Sequence, residues 1–262
     1  MKSLRERAGI EVSLDEQAHL VFGNDLEPAS PEVRTLAQAR GVLWNMTATG
    51  PDELYYMYRG VARRSDKALF LRQRIRYDIT VIRPGTVGSE YIKTVGHYHA
   101  EADGTGVQYP EVYEVISGKA HYLLQKPGAG HLTVEDAVIV EALPGDKVLI
   151  PPGYGHVTVN PGDEPLVMSN LIEREFKSVY GPFSEAHGAA YHEVLEEDMP
   201  VFVENEHYAE VAEPRLLEPR DLPELGLLNR TPLYTAFVNK PEIFDYLVKP
   251  YLFSEALVAA LE

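Results

Sequence analysis

The sequence predicts a mainly β fold, a sandwich or barrel, on three observations. Segments of strand length are rich in β-branched and aromatic residues, glycine and proline turns separate them at regular intervals, and apolar content is sufficient for one sizeable core. Hydrophobic residues make up 45% of 262 positions, ordinary for a globular protein. The length implies one domain with extensions, or at most two domains.

Before the strands, residues 30–44, SPEVRTLAQARGVLW, read as a helix. Ser30 is its expected N-cap, Pro31 suits its first position, and Val33, Leu36, Ala37 and Leu43 form an apolar stripe. From Tyr55 the texture changes. The runs YYMYRGVA, ALFLRQRIRYDITVIRPG, SEYIKTVGHYHA, EVYEVISGKAHYLLQ, AVIVEALPGDKVLIPPG and HVTVNPGDEPLVMSNLI are strand-like. Pro84-Gly85, Gly118, Pro144-Gly145, Pro151 to Gly155 and Pro161-Gly162 punctuate them. After about Glu193 the pattern dissolves into Glu- and Pro-rich text, and residues 242–261 read as helical, broken at Pro250. The expected organisation is therefore an N-terminal segment over 1–54, the β domain over 55–195 and a C-terminal extension over 196–262. Both end segments are expected to pack on the β domain, the extension alternatively on a second subunit.

Charge narrows the function classes. Forty acidic against 24 basic residues give a net charge of −16, which argues against nucleic acid, whose binders carry a basic patch. An anionic ligand would need local donors to hold it against this field. No apolar run approaches the ~18–20 residues of a membrane span, and no apolar region follows the basic start. With no cysteine there are neither disulfides nor thiolate metal ligands, and the cytoplasm is the default location.

One stretch carries chemistry. GHYHA, beginning at Gly96, places His97 and His99 two residues apart, so on a strand both imidazoles face the same side. Alone, such a pair is usually just two polar residues on a strand, and His156 alone would be a loop histidine. Downstream, however, lie PEVYEVISG (110–118) and GDKVLIPPGYGHVTVN (145–160). Together the three resemble the two sequence motifs of the cupin superfamily. The second motif fits closely, through Gly145, Pro151, Gly153, His156 and Asn160. The first departs in one respect, because eleven residues separate His99 from Glu111. His97, His99, Glu111 and His156 form an open set of three nitrogens and one oxygen, suited to Mn2+, Fe2+, Ni2+ or Zn2+. Of the rival carboxylates, Glu114 has the wrong strand parity relative to Glu111 and Glu101 follows His99 too closely. The other six histidines, His19, His121, His131, His187, His192 and His207, fit no pattern and are expected at the surface or in the core.

The text around the motifs, TVIRPGTVGSEYIKTVGHYHAE through LIPPGYGHVTVNPGDEPLVMSNL and VYG, resembles the cupin-type (archaeal-type) phosphoglucose isomerases over residues 28–195. The long gap before the glutamate is typical of that family. The resemblance implies a jelly-roll β-barrel, one divalent metal per subunit, a cytoplasmic homodimer, and interconversion of glucose 6-phosphate and fructose 6-phosphate in glycolysis and gluconeogenesis. Carried over by position, the metal ligands fall on His97, His99, Glu111 and His156, and the phosphate contacts on Tyr55, Thr80, Thr94 and Gly96. Tyr113, of the same parity as Glu111, and Tyr180 fall at the sugar. Where members of the family can carry a further tyrosine and histidine, this chain has Ile172 and Ser178. Moving a carbonyl from C1 to C2 needs a proton taken from C2 and returned at C1 while charge develops on oxygen. A Lewis acid stabilises that charge and Glu111 can carry the proton; a hydride shift is the rival route. Two other functions fit the residues: an Fe2+ oxygenase built on His97, His99 and Glu111, and a sugar-binding module without turnover.

Overall fold

The computed structural model describes residues 1–261. Its centre is two packed sheets. We label the main strands β1 (Glu32–Thr35), β2 (Glu53–Tyr58), β3 (Ile75–Ile82), β4 (Tyr98–His99), β5 (Glu111–Ser117), β6 (Ala120–Pro127), β7 (Thr133–Ala142), β8 (Lys147–Ile150), β9 (Gly155–Val159), β10 (Leu166–Glu173), β11 (Ser178–Val179), β12 (Tyr191–Glu196), β13 (Met199–Glu204), β14 (Glu210–Val211) and β15 (Pro214–Leu217). One sheet has six strands in the order β8-β5-β10-β3-β2-β1. The other runs β9-β6-β7, with β14 and β15 both on the outer edge of β7. The jelly-roll expectation is met as these two facing sheets.

Each face of the six-stranded sheet has its own core. Tyr55, Met57, Ile82, Tyr113, Val115 and Met168 face inward and share one cluster with Tyr122, Leu124, Val138, Val140 and Val157 of the opposing sheet. Tyr56, Tyr77, Ile79, Val81, Val112 and Leu171 point the other way, into a second cluster. That second face is covered from both ends of the chain, by Leu4, Ile10, Val12 and Leu20 and by Leu233, Phe237, Phe244 and Tyr246. Burial on both sides is why β10 reads as an apolar run broken only at Ser169 and Asn170 before Glu173, whereas β3 alternates, with Arg76, Asp78 and Thr80 between its apolar residues. The later part of the C-terminal extension, from Leu225 to Leu257, is thus the outer cover of the sheet that supplies Glu111. It forms a helix at Leu233–Asn239, 3-10 turns at Pro241–Leu247 and Pro250–Leu252, and a last helix at Ser254–Ala259. No helix among the described residues is long and apolar enough to cross a membrane.

Three local expectations are corrected. The start of the run ALFLRQRIRYDITVIRPG, read as strand-like, is a helix at Lys67–Arg72, and the strand begins only at Ile75. The helix over 30–44 is much shorter: Glu32–Thr35 is an edge strand, and the helix occupies Leu36–Ala39 with a 3-10 turn over Arg40–Val42. Thr35, not Ser30, is the N-cap, closing a capping box with Gln38. Pairing of Val33 with Tyr56 on β2 outweighs the local signal of Ser30 and Pro31. The β pattern also does not end near Glu193. β12 and β13 form a hairpin, and β14 and β15 add parallel strands to β7.

The hairpin brings together a buried ion pair. Glu90, nearly fully buried, lies 2.8 Å from Lys93 Nζ and 2.6 Å from His192 Nδ1. Burial alone would raise its pKa, but Lys93 and the His192 hydrogen bond outweigh burial and hold it at about 2. A carboxylate depressed in the fold stabilises it above the unfolded pKa, and that contribution disappears as pH falls through the folded value. Wild-type stability should therefore drop between about pH 4.5 and 2, by on the order of 3 kcal/mol from this group. Glu90→Gln leaves Lys93 buried without its partner. It should be less stable than wild type at pH 7, with the gap closing towards pH 2 in denaturant melts. A constant gap would disprove the assignment.

Candidate active site

Between the sheets, four side chains converge. One ligand atom from each of His97, His99, Glu111 and His156 lies within 4.8 Å of all the others. Their elements explain the convergence. His97 and His156 form an isolated antiparallel bridge, exchanging backbone hydrogen bonds of 3.2 and 3.1 Å. Gly96, just before, sits at φ +79°, and a Cβ there would come within 2.4 Å of Val157 Cγ2. Only glycine allows so close an approach to β9. β5 supplies Glu111 across from Ile150 of β8.

His99 Nε2 lies 3.2 Å from His156 Nε2 and 3.3 Å from Glu111 Oε2, and His156 Nε2 lies 3.4 Å from the same carboxylate oxygen. The eleven-residue segment between His99 and Glu111 has a structural role. It returns the Tyr109 carbonyl to within 2.7 Å of His99 Nδ1. A carbonyl only accepts, so Nδ1 carries the hydrogen and Nε2 offers its lone pair to the centre. Asn170 Nδ2 donates to Glu111 Oε1 at 2.6 Å, fixing one carboxylate oxygen and leaving the other turned inward. His97 Nε2 and Glu111 Oε2 are buried without a hydrogen-bond partner. Burial, and then the neighbouring imidazoles, push His97 and His156 well below the ordinary histidine pKa. Neutral imidazoles and an orphaned carboxylate oxygen, costly as they stand, are the donor set a divalent cation satisfies.

The rival carboxylates are elsewhere. Glu114 points to the opposite face, bonded to Lys147 Nζ at 2.8 Å and accepting from the Leu233 N–H. Glu101 accepts from the Gly106 N–H at the surface. Among the six unassigned histidines, His121 and His192 are buried on Glu193 and Glu90, and the rest are half-buried or exposed.

Tyr55, Thr80, Thr94, Gly96, Tyr113 and Tyr180 all line the cavity around the cluster. Tyr55 Oη accepts from the Val95 N–H, and Thr94 Oγ1 accepts from the Thr158 N–H at 2.9 Å, leaving its hydroxyl hydrogen available. The Tyr113 ring lies 5.5 Å from that of His156. Burial and then the Glu111 charge raise its phenol well above the ordinary range. Tyr180 lies 5.6 Å from His97 at the mouth. Ser178 also lines the cavity, whereas Ile172 is buried beyond it, opposite Arg76. Sequence reasoning missed Arg34, Arg59, Asn170 and Phe176, which line it as well. Phe176 stands edge-on to His99 with centroids 5.0 Å apart.

Two facing β-sheets around three imidazoles and one carboxylate define a cupin-type protein with a possible metal centre. The family model of glucose-6-phosphate isomerase (GPI) matches residues 30–210, and the chain belongs to that family. Glucose-6-phosphate isomerase of Thermococcus litoralis is 29% identical over 165 residues, covering 61% of this chain and 78% of that protein. The Pyrococcus furiosus enzyme of the same name is 30% identical, over 61% and 79%. Among solved structures, Lactobacillus farciminis oxalate decarboxylase in its formate complex aligns with a TM-score of 0.37 at 19% identity, over 61% of this chain and 34% of that one.

Proposed function

We propose that this protein interconverts glucose 6-phosphate and fructose 6-phosphate at a divalent metal held by His97, His99, Glu111 and His156. The observation that carries the reading is the buried convergence of these four groups, with His97 Nε2 and Glu111 Oε2 unpartnered, in a chain of this family. A bound divalent ion would act as a Lewis acid on the O1 and O2 oxygens of the open-chain sugar. The protein's own groups do the rest. Glu111, held through Oε1 by Asn170, carries the proton between C2 and C1. Tyr113, whose phenol stays protonated, donates a hydrogen bond to a sugar oxygen. Phe176 and Tyr180 keep bulk water off the reacting carbons. The hydroxyls of Tyr55, Thr80 and Thr94 and the Gly96 amide face the phosphate. The same reading makes the protein a cytoplasmic homodimer with one ion per subunit.

The test is a coupled assay in which fructose 6-phosphate is supplied and glucose 6-phosphate is read out by a dehydrogenase. Metal-loaded protein should produce it in proportion to enzyme and consume no oxygen. No turnover would reject the reading, and oxygen uptake would point to the Fe2+ oxygenase instead.

A further inference from the structure

The wall of the cavity contains a cation whose charge is not matched. Arg34 lies on the edge strand β1 directly opposite Tyr55 of β2. Partners across an antiparallel pair share a face, so Arg34 projects with Tyr55 into the cavity, and both line it. Its Nε is buried and has no hydrogen-bond partner. Among the described residues no carboxylate is paired with it. The other guanidinium in the wall is compensated: Arg59 lies 2.9 Å from Asp78 and 3.8 Å from Glu32. Lys93 is occupied by Glu90 and the Val42 carbonyl, outside the cavity lining. Arg83 and Arg174 do not line the cavity.

A charged residue on an edge strand is ordinarily a device against edge-to-edge association. That role needs the charge in solvent, whereas Arg34 is half-buried and turned inward with one nitrogen stranded. Its positive charge reaches the site, opposing the effect of burial on the Tyr55 phenol. In a chain of net charge −16, a phosphate dianion meets a repulsive overall field, and hydroxyls with one amide supply dipoles but no countercharge. A fork of N–H donors is the group that pairs best with phosphate oxygens.

We infer that Arg34 is the specificity residue for the phosphorylated end of the substrate, pairing its guanidinium with the phosphate beside Tyr55, Thr80, Thr94 and Gly96. The inference rests on the isomerase reading for the identity of the substrate, and its test separates the two. Arg34→Gln and Arg34→Lys are compared with wild type at equal, measured metal content, using fructose 6-phosphate turnover and calorimetric titration with inorganic phosphate. Arg34→Gln should raise KM and weaken phosphate binding by about 10- to 100-fold, the worth of a charge-assisted hydrogen bond, while kcat changes much less. Arg34→Lys, which keeps the charge and loses the fork, should recover part of the loss. Wild-type KM and wild-type phosphate affinity in Arg34→Gln would overturn the inference. If wild type binds phosphate and Arg34→Gln does not, but neither isomerises the sugar, Arg34 is upheld as the anion anchor and the isomerase reading falls.

Discussion

Protein stripped of divalent metal is expected to lose essentially all isomerase activity and to regain it with Mn2+, Fe2+ or Ni2+. The expectation follows from the polar groups left unsatisfied in the cluster. His97 Nε2 and Glu111 Oε2 are buried without partners, and each such group costs about 1–3 kcal/mol until something binds it. Two of the imidazoles are held neutral by burial and by each other, the form that ligates a metal. His97→Ala and His156→Ala each remove one of four ligand groups. Both should lower metal affinity by more than the ~10–100-fold that loss of an outer-shell partner costs. Metal analysis and activity should fall together in both variants, and adding metal to the stripped wild type should also raise its melting temperature. Full turnover by protein shown to be metal-free would defeat the assignment.

Much of this site could be read from the sequence because short-range geometry set it. Two-residue spacing put His97 and His99 together, and strand parity separated Glu111 from Glu114, which the structure places on opposite faces of β5. The glycine and proline turns marked the strands for the same reason, since they act within a few residues. What was hidden depended on distant partners. Ser30 and Pro31 signal a helix start, and nothing nearby shows that Val33 and Arg34 will instead pair with β2. Arg34 was lost with that error, because a helix would not have delivered it to the cavity. β13 and β14 carry largely exposed or half-buried residues, so they lack the apolar rhythm that reveals a core strand. Asn170 did leave a signal: Ser169 and Asn170 interrupt the otherwise apolar run LVMSNLI. An amide buried in such a strand needs a partner, and that partner is Glu111.

The same hydrogen bond makes Glu111→Gln the most informative substitution in the molecule. Glutamine keeps the size of the side chain and one coordinating oxygen, but it cannot take up a proton at the pH of the reaction. It also places an amide near His99 and His156, 3.3 and 3.4 Å from the present Oε2. The oxygen of the new side chain is therefore drawn either to the Asn170 donor or to the centre. Metal affinity should weaken without disappearing, because three imidazoles remain, so the variant is assayed at saturating metal. If Glu111 moves the proton, kcat should fall about 10²–10⁴-fold, the usual worth of a positioned base, while fructose 6-phosphate still binds. If a hydride passes directly between C1 and C2, the loss should be smaller and should track metal content. Wild-type turnover in D2O reads the same question independently. A proton held on Glu111 can exchange with solvent before its return, so deuterium should appear at the carbon that receives it. A mild Gln phenotype at full metal occupancy, together with product free of deuterium, would remove Glu111 from the role of base and leave it as a ligand alone.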